Sequence, residues 1–224
     1  MVRRAATEAL GTAFLLMAVV GSGIMAERLA AGNVALALLA NSIATGAALI
    51  ALILALGPIS GAHFNPVVTL ADAMQGGIAW REVPGYITAQ IAGAFSGVAA
   101  AHAMFGLPAF FASHHARSGN GLLFSEFIAT FGLLAVIWGC ARVRSSAVAF
   151  AVGAYITAAY WFTSSTSFAN PAVTLARAAS DTFAGIRPVD APGFMVAQLA
   201  GAVAAALCFR WLAPPQPSMA KAKT

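Results

Sequence analysis

The chain has 224 residues, 60% of them hydrophobic and only 8% charged, with a net charge of +5. Soluble domains carry about a quarter charged residues, so this composition excludes a water-soluble globule and points to an all-α membrane protein with room for about six or seven spans. The basic excess forms no run and sits on no exposed domain, which excludes a nucleic-acid partner and leaves it as a topology signal.

Met1-Val2-Arg3-Arg4 starts like a signal peptide, but no small-residue cleavage site follows and the apolar run continues to about Met25. It reads as a retained first helix. Six runs are long enough to cross a bilayer: roughly 5–26, 34–56, 84–105, 122–141, 145–163 and 192–212. Between the second and third lies Asn65-Pro66-Val67-Val68-Thr69-Leu70-Ala71-Asp72. Between the fifth and sixth lies a near-copy, Asn170-Pro171-Ala172-Val173-Thr174-Leu175-Ala176-Arg177, at an offset of 105 (170 − 65). Asn is a strong N-cap, and Pro is favoured at the first helical position because its missing N–H would have had no partner there. Each copy therefore predicts a helix start. About ten residues run before Gly76-Gly77 and before Asp181, roughly 15 Å or half a bilayer core.

The halves repeat elsewhere. Glu8-Ala9-Leu10-Gly11-Thr12 answers Glu126-Phe127-Ile128-Ala129-Thr130, and Ala89-Gln90-Ile91-Ala92-Gly93-Ala94 answers Ala197-Gln198-Leu199-Ala200-Gly201-Ala202, at offsets of 118 and 108. Each repeat, about 5–105 and 122–212, holds three full crossings, so the second must enter from the opposite face. The half-helices then meet tip to tip near the midplane. Irregular backbone at that depth is tolerated only inside protein or along a wet cavity, which implies a central aqueous path. Each tip carries about half a positive charge, so the pair opposes cations and admits neutral solutes. If each Asn oxygen caps its own helix, its NH₂ is aimed into the path as a donor. Placing the N-terminus inside puts eight Arg/Lys in the cytoplasm and leaves Arg28, Arg117, Arg177 and Arg187 outside. Both termini are then cytoplasmic. Residues 1–213 read as one transmembrane channel domain, and the Pro- and Lys-bearing 214–224 as a disordered cytoplasmic tail.

Ser60-Gly61-Ala62-His63-Phe64-Asn65-Pro66-Val67 and Phe168-Ala169-Asn170-Pro171-Ala172 resemble the two signature loops of aquaporins. The resemblance covers residues 3 to about 212. It implies a right-handed bundle of six helices plus two half-helices, a homotetramer with one pore per subunit, passive flow and no cofactor. Val67 departs from the family's usual Ala. A larger departure is Val173, where many members carry an Arg immediately after the second motif. Ungapped spacing puts the other three contributors to the family's outer filter at Thr45, Ala158 and Ser167. A ring of Thr, Ala, Ser and Val would be wide and would lack the guanidinium's five donors and positive charge. Arg177, one turn beyond Val173, is a structural or outer-mouth residue with solute contact as the alternative. With Tyr160-Trp161-Phe162-Thr163 and Ser165-Thr166-Ser167, the pattern resembles a bacterial subgroup associated with arsenic resistance, in which Val replaces the Arg. That implies an inner-membrane location and water, polyols, arsenite as neutral As(OH)₃ and methylated arsenicals as solutes.

Glu8 and Glu126 are the carboxylates deep in full crossings, where a charge marks either a pathway or a buried anchor; the family resemblance implies that they anchor the half-helix loops. His63 is expected near the inner mouth, as a wall or as a titrating group. Gln90 and Gln198 are expected to bond between helices. His114-His115 reads as ordinary surface, and Cys140 and Cys208 as small apolar residues without a disulfide. There is no nucleophile–base pair, metal-ligand spacing or phosphate loop, so neither an enzyme nor a metal site is expected. The alternatives to a neutral-solute channel are a glycerol or polyol facilitator within the class and an ion-coupled transporter outside it.

Overall fold

The computed structural model describes residues 1–212; the tail read as disordered, 214–224, lies outside the described residues. The described residues form α1 (Val2–Leu29), α2 (Val34–Ser60), α3 (Pro66–Met74), α4 (Val83–Met104), α5 (Asn120–Val143), α6 (Val148–Phe162), α7 (Pro171–Arg177) and α8 (Ala191–Leu212), with 3₁₀ turns at Trp80–Glu82 and Ser145–Ala147 and no strand. Six long helices thus enclose two short ones, the all-α architecture predicted above. Five spans are long and apolar enough to cross a membrane. α4 matches them in length, and its polar Gln90 and His102 are fully buried in protein and so are spared contact with lipid. The outward face exposes Leu36, Ile43, Phe124, Phe150, Val196 and Trp211, an apolar belt suited to lipid, and the chain is a multi-pass membrane protein.

α2 begins at an Asn33 cap, whose Oδ1 accepts from Leu36 N at 3.1 Å. It ends at Gly61, where a φ of 91° turns the chain inward. α3 has nine residues and α7 seven, shorter than the ten predicted for each. α7 stops early because segment 111–113 reaches its end: Ser113 N donates to Ala178 O at 3.0 Å and Phe111 N to Ala179 O at 3.1 Å. Carbonyls satisfied from outside leave no drive for another turn.

Packing follows the small residues. α1 packs against α4, α5 against α8 and α2 against α6. A Cβ on Gly93 would overlap the Ala9 carbonyl, and one on Gly201 would overlap the Phe127 carbonyl. These contacts join the residues that the offsets of 108 and 118 pair (201 − 93 and 127 − 9). A Cβ on Gly46 would sit 2.8 Å from Gly153 O, and one on Gly153 would sit 2.6 Å from Gly46 O. Lipid supplies no hydrophobic force between helices, so close backbone approach supplies the contact instead. Gly93→Val is expected to push α4 off α1 and cost about 1–3 kcal/mol; the check is a lower melting temperature of the detergent-solubilised chain, and an unchanged melt would show that the contact tolerates a side chain.

Candidate functional site

The two short helices meet at their N-termini. Asn65 Oδ1 accepts from Val67 N at 3.0 Å, and Asn170 Oδ1 from Ala172 N at 3.0 Å and Val173 N at 3.2 Å. Each amide then crosses to the other loop: Asn65 Nδ2 donates to Ala169 O at 2.7 Å and Asn170 Nδ2 to Phe64 O at 2.8 Å. The NH₂ groups, expected to point into the path as donors, give one N–H each to this clamp and keep one. Pro66, Val67, Pro171 and Ala172 are buried behind the tips.

The loops feeding the tips carry matched strain. Ala62 and Phe64 have φ of 51° and 50°, and their counterparts 105 residues on, Ser167 and Ala169, have 51° and 48°. Left-handed backbone at a residue other than Gly costs about 1–2 kcal/mol, so something must hold it. The holder is a buried carboxylate in each half. Glu8 accepts from His63 N at 3.1 Å, Phe64 N at 2.7 Å, Ser60 Oγ at 2.6 Å and Gln90 Nε2 at 2.8 Å. Glu126 accepts from Phe168 N at 2.9 Å, Ala169 N at 2.8 Å and Gln198 Nε2 at 2.6 Å. Hydrogen bonds to a charged acceptor contribute about 1.5–3 kcal/mol each, enough to oppose the strain. Sequence reasoning passed over the supporting residues Ser60, Ser165, Thr69 and Thr174. Ser60 Oγ accepts from Ala62 N and Ser165 Oγ from Ser167 N, while Gln90 and Gln198 also donate to Thr69 and Thr174. The same offset of 105 relates both pairs and was the available signal.

A cavity of about 580 Å³ passes the joined tips and is lined by both asparagines. At the end where α1 begins, its wall includes Arg4, His63 and Asp72; at the opposite end it includes Thr45, Tyr160, Ser167, Phe168, Val173 and Arg177. Ala158, counted into the filter by ungapped spacing, is exposed on the far side of α6. Val152, Ile156 and Tyr160, spaced by four, face the cavity instead, and a residue two positions away points nearly opposite. Tyr160 OH lies 3.2 Å from Thr45 Oγ1, so an aromatic does stand in the wall. Nor is the wall without a cation. Arg177 is 2% exposed, its Nε donates to Ala184 O, and its guanidinium carbon lies 3.3 Å from the Phe168 ring centroid. It lines the cavity at the end opposite the start of α1.

Sequence reasoning also missed the fastening of the loops over α7. Arg117 is buried; its Nε donates to Gly185 O at 2.7 Å, its Nη1 to Ser165 O at 3.3 Å and its backbone N to Asp190 Oδ2 at 2.8 Å. Arg187, and then the Arg117 N–H, hold the Asp190 carboxyl below the usual range. His102 is buried with Nδ1 2.9 Å from Ala109 O and Nε2 2.8 Å from Ser180 Oγ. A carbonyl only accepts, so Nδ1 donates to Ala109 O. His114 pairs with Asp181 at 2.9 Å on the surface, and no group of three or more metal-ligating side chains occurs among the described residues. Cys140 and Cys208 are free.

Known proteins match most of the chain. The major intrinsic protein family pattern matches residues 1–146 and 139–223. The chain is 55% identical to aquaglyceroporin AqpS of Rhizobium meliloti (strain 1021) over 215 residues, 96% of this chain and 92% of that protein. It is 42% identical to aquaporin NIP1-3 of Oryza sativa subsp. japonica over 137 residues, 58% of this chain and 48% of the relative. The X-ray structure of the aquaglyceroporin from Plasmodium falciparum shares the fold with a TM-score of 0.70, at 24% identity, over 93% of this chain and 95% of that one. The chain belongs to the major intrinsic protein family, whose members are membrane channels and not enzymes.

Proposed function

We propose that the chain is a passive channel for small neutral solutes such as water and glycerol, and that the cavity past the two asparagines is the path. The observation that carries this reading is the cross-bonded pair of helix tips beside a cavity that both asparagines line. Two helix N-termini at one depth set a positive potential that a cation must climb and a neutral solute need not. Each asparagine retains one donor for a passing hydroxyl. Similarity to aquaglyceroporin AqpS supports solutes larger than water. Arsenite as As(OH)₃ offers the same hydroxyl chemistry as a polyol, and we include it, with methylated arsenicals, among the proposed solutes. The matched contacts and loop dihedrals support inverted repeats at about 5–105 and 122–212. We further propose a homotetramer with both termini cytoplasmic in the inner membrane, His63 and Asp72 at the inner mouth and Arg177 toward the outer.

Selectivity in this reading rests on Thr45, Tyr160, Ser167 and Val173 rather than on a ring containing Ala158. Val173 leaves space and places no donor beside the tip, while Tyr160 keeps one wall aromatic and binds Thr45.

The test is a solute panel of water, glycerol, urea and arsenite in proteoliposomes. Flux is expected to follow each solute's own gradient without an ion gradient; strict dependence on protons or sodium would replace the channel with a coupled transporter. Val173→Arg is expected to cut glycerol and arsenite flux about tenfold more than water flux; equal loss of both would move Val173 out of the constriction. Asn170→Asp removes the donor to Phe64 O and puts a negative charge at the tips, so cation conductance is expected to rise. An unchanged conductance in voltage-driven flux would show that Asn170 does not face the path.

A further inference from the structure

The offset of 105 pairs His63 with Phe168, Ala62 with Ser167 and Asp72 with Arg177 (168 − 63, 167 − 62, 177 − 72). Each half thus sets a ring beside a charge in the cavity wall, but the two charges are housed differently. At the inner mouth, His63 Nδ1 lies 3.1 Å from Thr69 Oγ1 and Nε2 3.6 Å from Asp72 Oδ2, and Arg4 is paired with Glu82 at 2.7 Å. At the outer end, Arg177 lies on Phe168 and forms no salt bridge among the described residues. Its Nε bonds Ala184 O, while its two terminal nitrogens have no partner among the described residues. The Glu126 carboxylate is taken up by Phe168 N, Ala169 N and Gln198.

A second group points the same way. Ser167 Oγ is buried, lines the same cavity and has no hydrogen-bond partner among the described residues. Its counterpart Ala62 has no hydroxyl, so this polar atom is an addition of the outer half. A buried guanidinium without a counter-ion is costly. A guanidinium edge matches a carboxylate, which accepts two parallel N–H bonds, and a serine hydroxyl can donate a third. The nearby helix tips add positive potential.

We propose that Arg177 and Ser167 form a binding subsite for a small monocarboxylate, of formate or acetate size, in the outer half of the cavity. The inference rests on the cavity being a solute path: a bound carboxylate would stand in that path and slow the neutral solute behind it.

The test uses the full chain in proteoliposomes, with glycerol flux measured against sodium formate, equal on both sides, at constant ionic strength. Formamide, nearly the same size but uncharged, is the control. Formate is expected to halve glycerol flux at a concentration at least about tenfold below that needed for formamide, since charge-assisted pairs exceed neutral ones by that order. Arg177→Gln is expected to erase the difference and Ser167→Ala to reduce it about threefold. Glycerol flux with formate and formamide acting alike overturns the subsite and leaves the channel standing. Should Arg177→Gln fail to fold, Ser167→Ala carries the comparison, and an unaltered formate sensitivity there overturns the assignment. A melting scan of the detergent-solubilised chain separates the two readings. Stabilisation by formate and not formamide, in a chain that moves no glycerol, supports the subsite and overturns the channel; no formate-specific stabilisation overturns the subsite.

Discussion

Everything in the middle of this molecule depends on one reciprocal exchange. Asn65 and Asn170 each present an oxygen to their own helix and a nitrogen to the other half's loop. A primary amide suits this because it carries an acceptor and two donors on one rigid plane. The carboxylate of the same size lacks the donors, and a hydroxyl is too short to serve both partners. The exchange fixes the separation of the tips and the orientation of both amides at once. It also holds two positive helix ends at the same depth, an arrangement that electrostatics alone would oppose.

That repulsion, and the left-handed residues leading into each tip, are offset by the two buried carboxylates. Placing Glu8 and Glu126 inside a membrane bundle is unfavourable by itself. Each becomes tolerable because it accepts two consecutive backbone N–H groups from its loop and one from a glutamine. The glutamines in turn hold Thr69 and Thr174, whose hydroxyls bond the carbonyls of Asn65 and Asn170 at 3.1 and 2.8 Å. A closed chain of contacts therefore runs from carboxylate to loop to tip and back in each half.

The elements legible in the sequence were those with local signals. Asn-Pro starts, glycine-rich crossings and matched offsets predicted the helices, the two short ones among them. Features set by distant parts of the chain were not legible. The phase of α6 decides whether Ala158 or Tyr160 meets the cavity, and that helix is apolar on both lipid and core faces, so no stripe reveals its rotation. The length of α7 is set by carbonyls that residues 111–113 satisfy. The position of the Arg177 guanidinium is set by Ala184 and Phe168; helical spacing placed its Cα on the right face but could not say where so long a side chain would end. Arg117, noted in the sequence only as an outer charge, proves buried because four backbone and side-chain partners converge on it.

The two halves share a framework and differ in charge: acid and imidazole at one end, guanidinium and phenyl at the other. In a passive path such asymmetry cannot rectify flow. A site that holds a solute more tightly delays its exit to both sides in the ratio set by the barriers flanking it, and at equal concentrations the forward and reverse fluxes must balance. What the asymmetry can set is which solutes linger and where. A neutral hydroxylated solute gains little from a lone guanidinium, because its oxygens bond equally well to water outside; an anion gains far more, because the cation is already desolvated and unpaired. The end where α1 begins, with Arg4 bound to Glu82 and the Asp72 carboxylate beside His63, offers an anion no such gain. The charge difference between the ends therefore bears on selectivity and occupancy, and the concentration gradient alone sets direction.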